Sequence, residues 1–281
     1  MKILRLIRWP NCLIAGLTVM CGIILLPELP PTAAVILAIV CAISLTALGN
    51  IDNDLADIQS DKINHPNRPL AYGTITKTTA IALLIIFSII SLVTAFLLNS
   101  RCFLIVVSAV ILLLTYNHAL KRVPLLSNII IALIGGMAFI FAGSLDVGFN
   151  IMEINLLTSG AIIAFLFHLG REIIKDLQDR EGDIAVKIKT FANSVVLKYV
   201  KLFVGSIFLI LFVYVIFMIQ FLKLRIVFCV SFLFGVVIPL IVLACRFWNN
   251  DSNKSYHFIS IALKILMPIG LLTLLLARFG I

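Results

Sequence analysis

The sequence contains little charge. Of its 281 residues, 12% are charged and 62% are hydrophobic, and the mean hydropathy is +1.17. A soluble globular domain has about 25% charged residues, so this composition cannot cover a surface that faces water. The composition excludes a soluble fold and leaves no region for a separate soluble domain. We therefore expect residues 1–281 to form a single transmembrane domain of a polytopic membrane protein.

The cysteines show no regular spacing of the kind found in disulfide frameworks or metal sites. The six cysteines lie mostly inside apolar runs, where a small apolar packing role is expected: Cys12, Cys21, Cys41, Cys102, Cys229 and Cys245. The N-terminus lacks a small-residue cleavage site after its first apolar run, so we expect that run to stay in the protein as the first helix.

Long runs without charge fill most of the chain. Eight of them approach or exceed the roughly 17 to 25 residues of a membrane-spanning helix: 9–27, 29–51, 78–100, 102–120, 123–145, 154–170, 202–222 and 226–245. A ninth run, 258–277, is interrupted only by Lys264. In lipid the backbone must satisfy its own hydrogen bonds, and these runs are too long for barrel strands. The sequence therefore predicts an all-α fold with nine transmembrane helices.

The distribution of lysine and arginine indicates the orientation. If the N-terminus is cytoplasmic, 17 of the 22 basic residues fall in inner segments and four in outer ones. Basic loops stay on the cytoplasmic side, so we expect a multi-pass protein of the cell membrane whose N-terminus is cytoplasmic. The net charge of +9 follows from this arrangement, and it gives no reason to expect a nucleic-acid partner.

Acidic residues are few and clustered. Nine of the 13 lie in two groups that the topology places on the cytoplasmic face: Asp52, Asp54, Asp57 and Asp61 in the first, and Glu172, Asp176, Asp179, Glu181 and Asp183 in the second. At about 100° per residue, most of each group shares one helix face. Only Asp52 and Glu181 point away from these two faces.

Carboxylates stacked on one helix face repel one another unless positive charge compensates them. Oxygen ligands, here carboxylates with the amide of Asn53, suit Mg²⁺, which prefers one or two carboxylates together with water and substrate phosphate. Basic residues that would bind phosphate follow in the same inner segments: Arg68, Lys121, Arg122, Lys175, Arg180, Lys187 and Lys189. The two clusters therefore predict a site for a phosphorylated substrate and Mg²⁺.

The run from Asn53 to Asp61 resembles the NDxxDxxxD signature of the UbiA family of intramembrane prenyltransferases. The resemblance extends over the whole chain. It implies nine helices around a central cavity, which cytoplasmic loops cap, and transfer of a prenyl group from its diphosphate to an acceptor. It also implies that Mg²⁺ lies between two aspartate motifs, Asn53, Asp54, Asp57 and Asp61 in one, Asp179 and Asp183 in the other. The aspartates are the implied catalytic residues, and Arg68, Lys121 and Arg122 the implied diphosphate ligands.

The run from Arg171 to Asp183, REIIKDxxDxEGD, resembles the archaeal-type geranylgeranylglyceryl phosphate geranylgeranyltransferases, although homogentisate prenyltransferases carry a similar run. The segment DKINxPxRP after the first motif favours the former, ether-lipid branch, whereas Ala71-Tyr72-Gly73 departs from the Pro-Ser-Gly common there. This resemblance implies geranylgeranyl transfer to the hydroxyl of geranylgeranylglyceryl phosphate. The alternatives are an aromatic prenyltransferase of quinone biosynthesis and an ion or phosphate transporter, which would place carboxylates near mid-membrane.

Further residues are candidates for contacts with the substrates. Glu172, Lys175 and Asp176 belong to the second acidic segment. Five aromatic residues are candidates either for lining a prenyl channel, where their ring faces would stabilise a carbocation, or for helix packing and lipid contact: Tyr116, Phe139, Phe141, Phe165 and Phe167. His168 is either a base for the acceptor hydroxyl or a hydrogen-bonded partner of a neighbouring helix.

Lys264 either meets an anionic group of the acceptor together with Arg8, or extends to the inner membrane interface. The partners expected are a prenyl diphosphate, a lipid-like acceptor and the bilayer. No protein partner is evident from the sequence.

Overall fold

The computed structural model describes residues 2–121, 123–185 and 187–278, and they fold into helices. In chain order these are α1 (Lys2–Leu6), α2 (Trp9–Ile24), α3 (Thr32–Ala56), α4 (Ile58–Asn64), α5 (Lys77–Leu98), α6 (Ser100–Thr115), α7 (Leu126–Gly143), α8 (Leu156–Ala185), α9 (Phe191–Ser194), α10 (Leu197–Phe221), α11 (Ile226–Phe232), α12 (Ile238–Asn249) and α13 (Asn253–Arg278).

The helices confirm the predicted spans. Eight segments are long and apolar enough to cross a membrane: α3, α5, α6 with its continuation to Leu120, α7, α8, α10, α11–α12 and α13. The first span, α2, is shorter at 16 residues. Together these nine segments of the described chain match the nine charge-poor runs. All six cysteines are free, and four of them are buried between helices.

The helices pack around a shared interior. Neighbours in the chain pack together in the pairs α2–α3, α5–α6 and α7–α8, while α13 packs on both α2 and α8 and so joins the two ends of the chain. Close approach depends on small residues, because a Cβ on Gly136 would lie 2.8 Å from the carbonyl oxygen of Ala161. Large apolar side chains such as Phe96 and Leu104 are exposed on the outside, as expected where lipid is the solvent.

Two local breaks lie close to the acidic clusters. The sequence predicts a continuous helix through the first cluster, but a turn at Asp57 separates α3 from α4. After α6, residues Tyr116–Leu120 form a π-helical turn. In contrast, the second cluster continues the sixth span without interruption in the 30-residue α8. The extent of the domain, residues 1–281, stays a prediction.

Candidate active site

A cavity of about 540 Å³ lies between α2, α3, α6, α7, α8 and α13. One part is lined by charged and polar side chains: Arg5, Arg8, Asn53, Asp54, His65, Arg68, Arg171, Glu172, Lys175 and Lys264. Another part is apolar, with Val19, Ile105, Val106, Ile134, Phe141 and Met267 in its wall. The cavity therefore has room for a molecule with a strongly charged group and a long apolar chain.

The first aspartate motif is surrounded by cations. Asp54 is almost completely buried and forms ion pairs with Arg8 and, at 3.5 Å, with Arg68. Arg68 also donates a hydrogen bond of 2.5 Å to Asp61. Burial raises the pKa of Asp61, and the positive charge of Arg68 opposes that effect. These pairs provide the compensating positive charge that the stacked carboxylates require.

Lys121 reaches the same motif from the end of the π-helical turn. Its ammonium group forms an ion pair with Asp57 and lies 3.3 Å from the Asn53 Oδ1 atom. The neighbouring Arg122, which the resemblance also assigns to the diphosphate, lies outside the described residues. Three cations thus meet the first motif from three different segments: Arg8, Arg68 and Lys121.

The second motif is joined to α4 rather than to a cluster of cations. His65 Nε2 lies 3.0 Å from the Oδ1 atom of Asp179. Asn64 donates to the Asp179 carbonyl at 3.0 Å and accepts from the Gly182 N–H at 3.1 Å. Asp183 is buried. The end of α4 therefore holds the two aspartate motifs next to each other.

Two acidic residues on the same predicted face of α8, Glu172 and Asp176, have different surroundings in the structure. Glu172 lines the cavity and accepts hydrogen bonds from Arg171 at 2.6 Å and from Lys175 at 3.1 Å. Asp176, by contrast, accepts a 2.8 Å hydrogen bond from Asn128 of α7. Asp176 is not among the side chains that line the cavity, and its assignment as a substrate ligand stays a prediction. The helix turns it toward α7.

The carboxylate and amide oxygens of the two motifs suit a Mg²⁺ ion that protein and substrate coordinate together. Among the described residues, no three His, Cys, Asp or Glu side chains converge as a protein-only metal site. Mg²⁺ typically keeps waters and substrate phosphate in addition to one or two carboxylates. The Oδ2 atom of Asp54 is buried without a hydrogen-bond partner, which leaves one inward-facing oxygen available for coordination.

Asp52 and Glu181, the two acidic residues that lie off the shared helix faces, differ in their surroundings. Glu181 is exposed to solvent. Asp52 is buried, and its carboxylate accepts a 2.6 Å hydrogen bond from Asn117 and lies 3.1 Å from His118 Nε2. Asp52 thus points away from the cavity, as predicted, but it binds the π-helical turn that carries Tyr116 and Lys121.

The remaining candidates divide into two groups. Tyr116, Phe141, His168 and Lys264 line the cavity. Phe139, Phe165 and Phe167 pack in the cores between helices and are not among the side chains that line this cavity. Lys187 and Lys189 are exposed.

Sequence reasoning assigned no role to Asn64, His65 or Arg171. All three lie within the two segments that carry the resemblance. Asn64 and His65 contact the distant Asp179 and Gly182, whereas Arg171 pairs with the adjacent Glu172 and lines the cavity. A single sequence contains no signal for these contacts.

Comparison with known proteins agrees with this geometry. A sequence model of the UbiA prenyltransferase family matches residues 15–267. The digeranylgeranylglyceryl phosphate synthase of Thermococcus sibiricus is 36% identical over 188 residues, which are 66% of each protein. The enzyme of the same name from Thermococcus kodakarensis is 30% identical over 280 residues, which cover 98% of this chain and 96% of that protein.

Solved structures give the same result for the fold. A structure from work on digeranylgeranylglyceryl phosphate synthase in membranes has a TM-score of 0.76 and 26% identity, and the match covers 100% of this chain and 98% of that one. A UbiA homologue from Archaeoglobus fulgidus, bound to GPP and Mg²⁺, has a TM-score of 0.69 at 18% identity and covers 98% of this chain and 99% of its own. The protein described above therefore belongs to the UbiA prenyltransferase family.

Proposed function

We propose that this protein transfers a geranylgeranyl group from its diphosphate to the hydroxyl of geranylgeranylglyceryl phosphate, in a reaction that depends on Mg²⁺. The observation that carries the proposal is the cavity in which Asn53, Asp54 and several cations of the first motif meet an apolar space. The names of the relatives supply the acceptor. Residues 1–281 act as one membrane-embedded domain.

The aspartate motifs would hold Mg²⁺ beside the diphosphate. A Mg²⁺ ion bound there would supply Lewis-acid stabilisation of the departing diphosphate. The ligands we propose are Asn53, Asp54, Asp57, Asp61, Asp179 and Asp183. Arg68 and Lys121 already contact the first motif, so they exchange part of their carboxylate contacts for diphosphate oxygens as substrate binds. Their positive charges stabilise the negative charge that grows as the carbon–oxygen bond breaks.

The cavity wall then controls the fate of the allylic cation. Apolar side chains such as Ile105 and Phe141 hold the prenyl chain and exclude water, which would otherwise capture the cation. Tyr116 lines the same cavity, and its ring face would stabilise positive charge there. Diphosphate leaves as the carbon–oxygen bond breaks, the acceptor hydroxyl attacks the first carbon of the resulting cation, and the hydroxyl proton passes to the released diphosphate.

A direct assay tests the proposal. Purified protein with geranylgeranyl diphosphate and Mg²⁺ is given geranylgeranylglyceryl phosphate, homogentisate or hydroxybenzoate in separate reactions, and the products are identified by mass spectrometry. We expect an ether product with the first acceptor. Product from an aromatic acceptor alone would contradict the ether-lipid assignment, and the absence of any prenyl transfer would contradict the enzymatic one.

The metal-site assignment is tested with Asp57→Asn and Asp179→Asn. Each change keeps the size of the side chain but removes one negative oxygen from a Mg²⁺ ligand, so we expect prenyl transfer to fall at least 100-fold, roughly the loss of 2.7 kcal/mol of transition-state stabilisation. Asp146→Asn, on the loop after α7, is the matched control. Wild-type turnover in both motif variants would refute the assignment.

We also propose that the N-terminus and the site face the cytoplasm, because the basic residues concentrate on that side. In a background without Cys245, one cysteine is introduced at Glu181 and, in a second variant, at the highly exposed Val147 in the loop before α8. A membrane-impermeant thiol reagent added to intact cells is expected to label the Val147→Cys protein and not the Glu181→Cys protein. The reverse pattern would invert the proposed topology.

A further inference from the structure

Two groups of charged side chains reach the cavity, either by lining it or through contacts with residues that line it, and they differ in charge balance. The motif cluster pairs three cations with the three aspartates of the first motif: Arg8, Arg68, Lys121, Asp54, Asp57 and Asp61. The α8–α13 cluster has three cations and one carboxylate: Arg171, Lys175, Lys264 and Glu172. The motif cluster is neutral before metal binds, whereas the α8–α13 cluster is positive without any metal.

The positive charge of the α8–α13 cluster faces the cavity, because Arg171, Lys175 and Lys264 all line it. Glu172 binds both Arg171 and Lys175 and so neutralises only one of them. The Arg171 Nε–H is buried without a hydrogen-bond partner. This donor, in a side chain that is 15% exposed, lacks an acceptor that a ligand in the cavity would provide.

Lys264 increases this excess of charge. The charged side chains that act on it most strongly are Arg171, Arg8 and Lys175, all of them cations. Among the described residues, no carboxylate forms an ion pair with Lys264. A lysine inside a membrane span costs free energy, and three neighbouring cations add repulsion. An anion in the cavity would remove both penalties at once.

The cluster is distinct from the place of the diphosphate. Arg171 precedes Asp179 by eight residues on α8, which at 1.5 Å per residue corresponds to about 12 Å along the helix axis. Lys264 belongs to α13, which contributes none of the proposed metal ligands. An anion bound between Arg171 and Lys264 therefore lies deeper along α8 than the second aspartate motif.

We infer that the α8–α13 cluster binds the phosphate group of the acceptor, separately from the diphosphate; this inference rests on the proposed function. The net charge of the cluster, two positive charges, matches a phosphate monoester, which carries about 1.5 to 2 negative charges at neutral pH. The guanidinium fork of Arg171 suits phosphate oxygens, and Lys264 adds a point charge. The carboxylate of an aromatic acceptor has one negative charge and would leave the cluster positive.

The test compares two acceptors within each protein preparation. Geranylgeranylglyceryl phosphate and its dephosphorylated form, geranylgeranylglycerol, are assayed with geranylgeranyl diphosphate and Mg²⁺, and the ratio of the two kcat/KM values is the readout. Because the ratio is internal to one preparation, partial misfolding cancels. Lys264→Gln and Arg171→Gln are each expected to lower the ratio about tenfold, the usual loss for one charge-assisted hydrogen bond.

Two further variants complete the experiment. Lys264→Arg keeps the charge and is expected to keep the ratio within about twofold of wild type. Lys254→Gln removes a lysine at the exposed start of the same helix and is expected to leave the ratio unchanged. An unchanged ratio in both Lys264→Gln and Arg171→Gln, in an enzyme that forms the ether, would overturn the inference alone. A wild-type protein that prenylates only aromatic acceptors would overturn the proposed function as well.

Discussion

At the scale of single residues, a glycine allows the two aspartate motifs to meet. The Asn64 side chain lies against the backbone of α8 and bonds to both Asp179 and Gly182. A Cβ at position 182 would lie 2.3 Å from the Asn64 amide atoms. The glycine in the EGD run of the second motif therefore has a steric cause, because only glycine leaves room for the amide that joins α4 to α8.

Gly182→Ala tests this contact. The methyl group displaces the Asn64 amide, and overpacking of this kind costs about 1–3 kcal/mol. We expect a lower melting temperature and a loss of at least tenfold in prenyl transfer, as the ends of α4 and α8 separate. Both are measured on purified protein in detergent.

The control for this prediction uses a glycine with free space. A Cβ on Gly205 of α10 meets no atom within 4 Å, so Gly205→Ala should retain wild-type stability and activity. A second comparison isolates the overlap itself: in an Asn64→Ala background, adding Gly182→Ala should cost little more. Equal costs in both backgrounds would show that Asn64 is not the reason for the glycine.

At the scale of elements, the π-helical turn after α6 determines where Lys121 lies. In the turn, Asn117 and His118 bind the buried carboxylate of Asp52 on α3. Lys121, one residue after the turn, contacts Asn53 and Asp57 on the same helix end. Because both ends of the turn are fixed to α3, the ammonium group is held at the motif. A π-helical turn often marks a functional site.

Asp52→Asn should therefore weaken the binding of the prenyl diphosphate. In the variant, the amide NH₂ group replaces one carboxylate oxygen and faces the side-chain donor of Asn117 or His118. The loss of one charge-assisted hydrogen bond costs about 1.5–3 kcal/mol. We expect KM for the prenyl diphosphate to rise about tenfold with a smaller change in kcat, because Lys121 is displaced while the metal ligands remain.

Glu181→Gln is the matched variant, since both acids lie off the predicted faces but only Asp52 is buried and bonded. The exposed Glu181 should tolerate the change without effect on either kinetic constant. If both variants behave alike in steady-state assays, burial of Asp52 does not matter to the site.

At the scale of the whole molecule, the proposed ligand site joins two parts of the chain. Asp54, Asp57 and Asp61 belong to the α3–α4 segment, whereas Asp179 and Asp183 belong to the end of α8. Direct contact between these parts consists mainly of the α4 end, through Asn64 and His65. A metal and a diphosphate between the motifs would add a second connection, so binding is expected to stabilise the fold as well as to enable the reaction.

Thermal unfolding measures this coupling. A non-hydrolysable prenyl diphosphate analogue with Mg²⁺ should raise the melting temperature, by the equivalent of about 2.7 kcal/mol when the analogue is present at 100 times its Kd. The analogue with EDTA, and Mg²⁺ without the analogue, should each give a much smaller shift. A full shift in the presence of EDTA would mean that the diphosphate binds without the metal.

The sequence by itself determined the membrane fold and the chemical class of the site. Scarcity of charge and the lengths of the apolar runs are local properties, because each span must satisfy its own backbone and face lipid regardless of its neighbours. The nine spans were therefore predictable, as was the concentration of acidic residues near two helix ends. The motifs in these clusters also carried the family resemblance.

Only the tertiary structure decided which acidic side chains face the cavity and which cations accompany them. Asp176 shares a helix face with Glu172, yet it accepts a hydrogen bond from Asn128, because α7 packs against α8 at that position. Asp52 and Glu181 both lie off the helix face that their cluster shares, but packing buries Asp52 and leaves Glu181 exposed. The pairing of a carboxylate with a distant cation depends on how helices far apart in the chain come together, and no local pattern in one sequence records that distance.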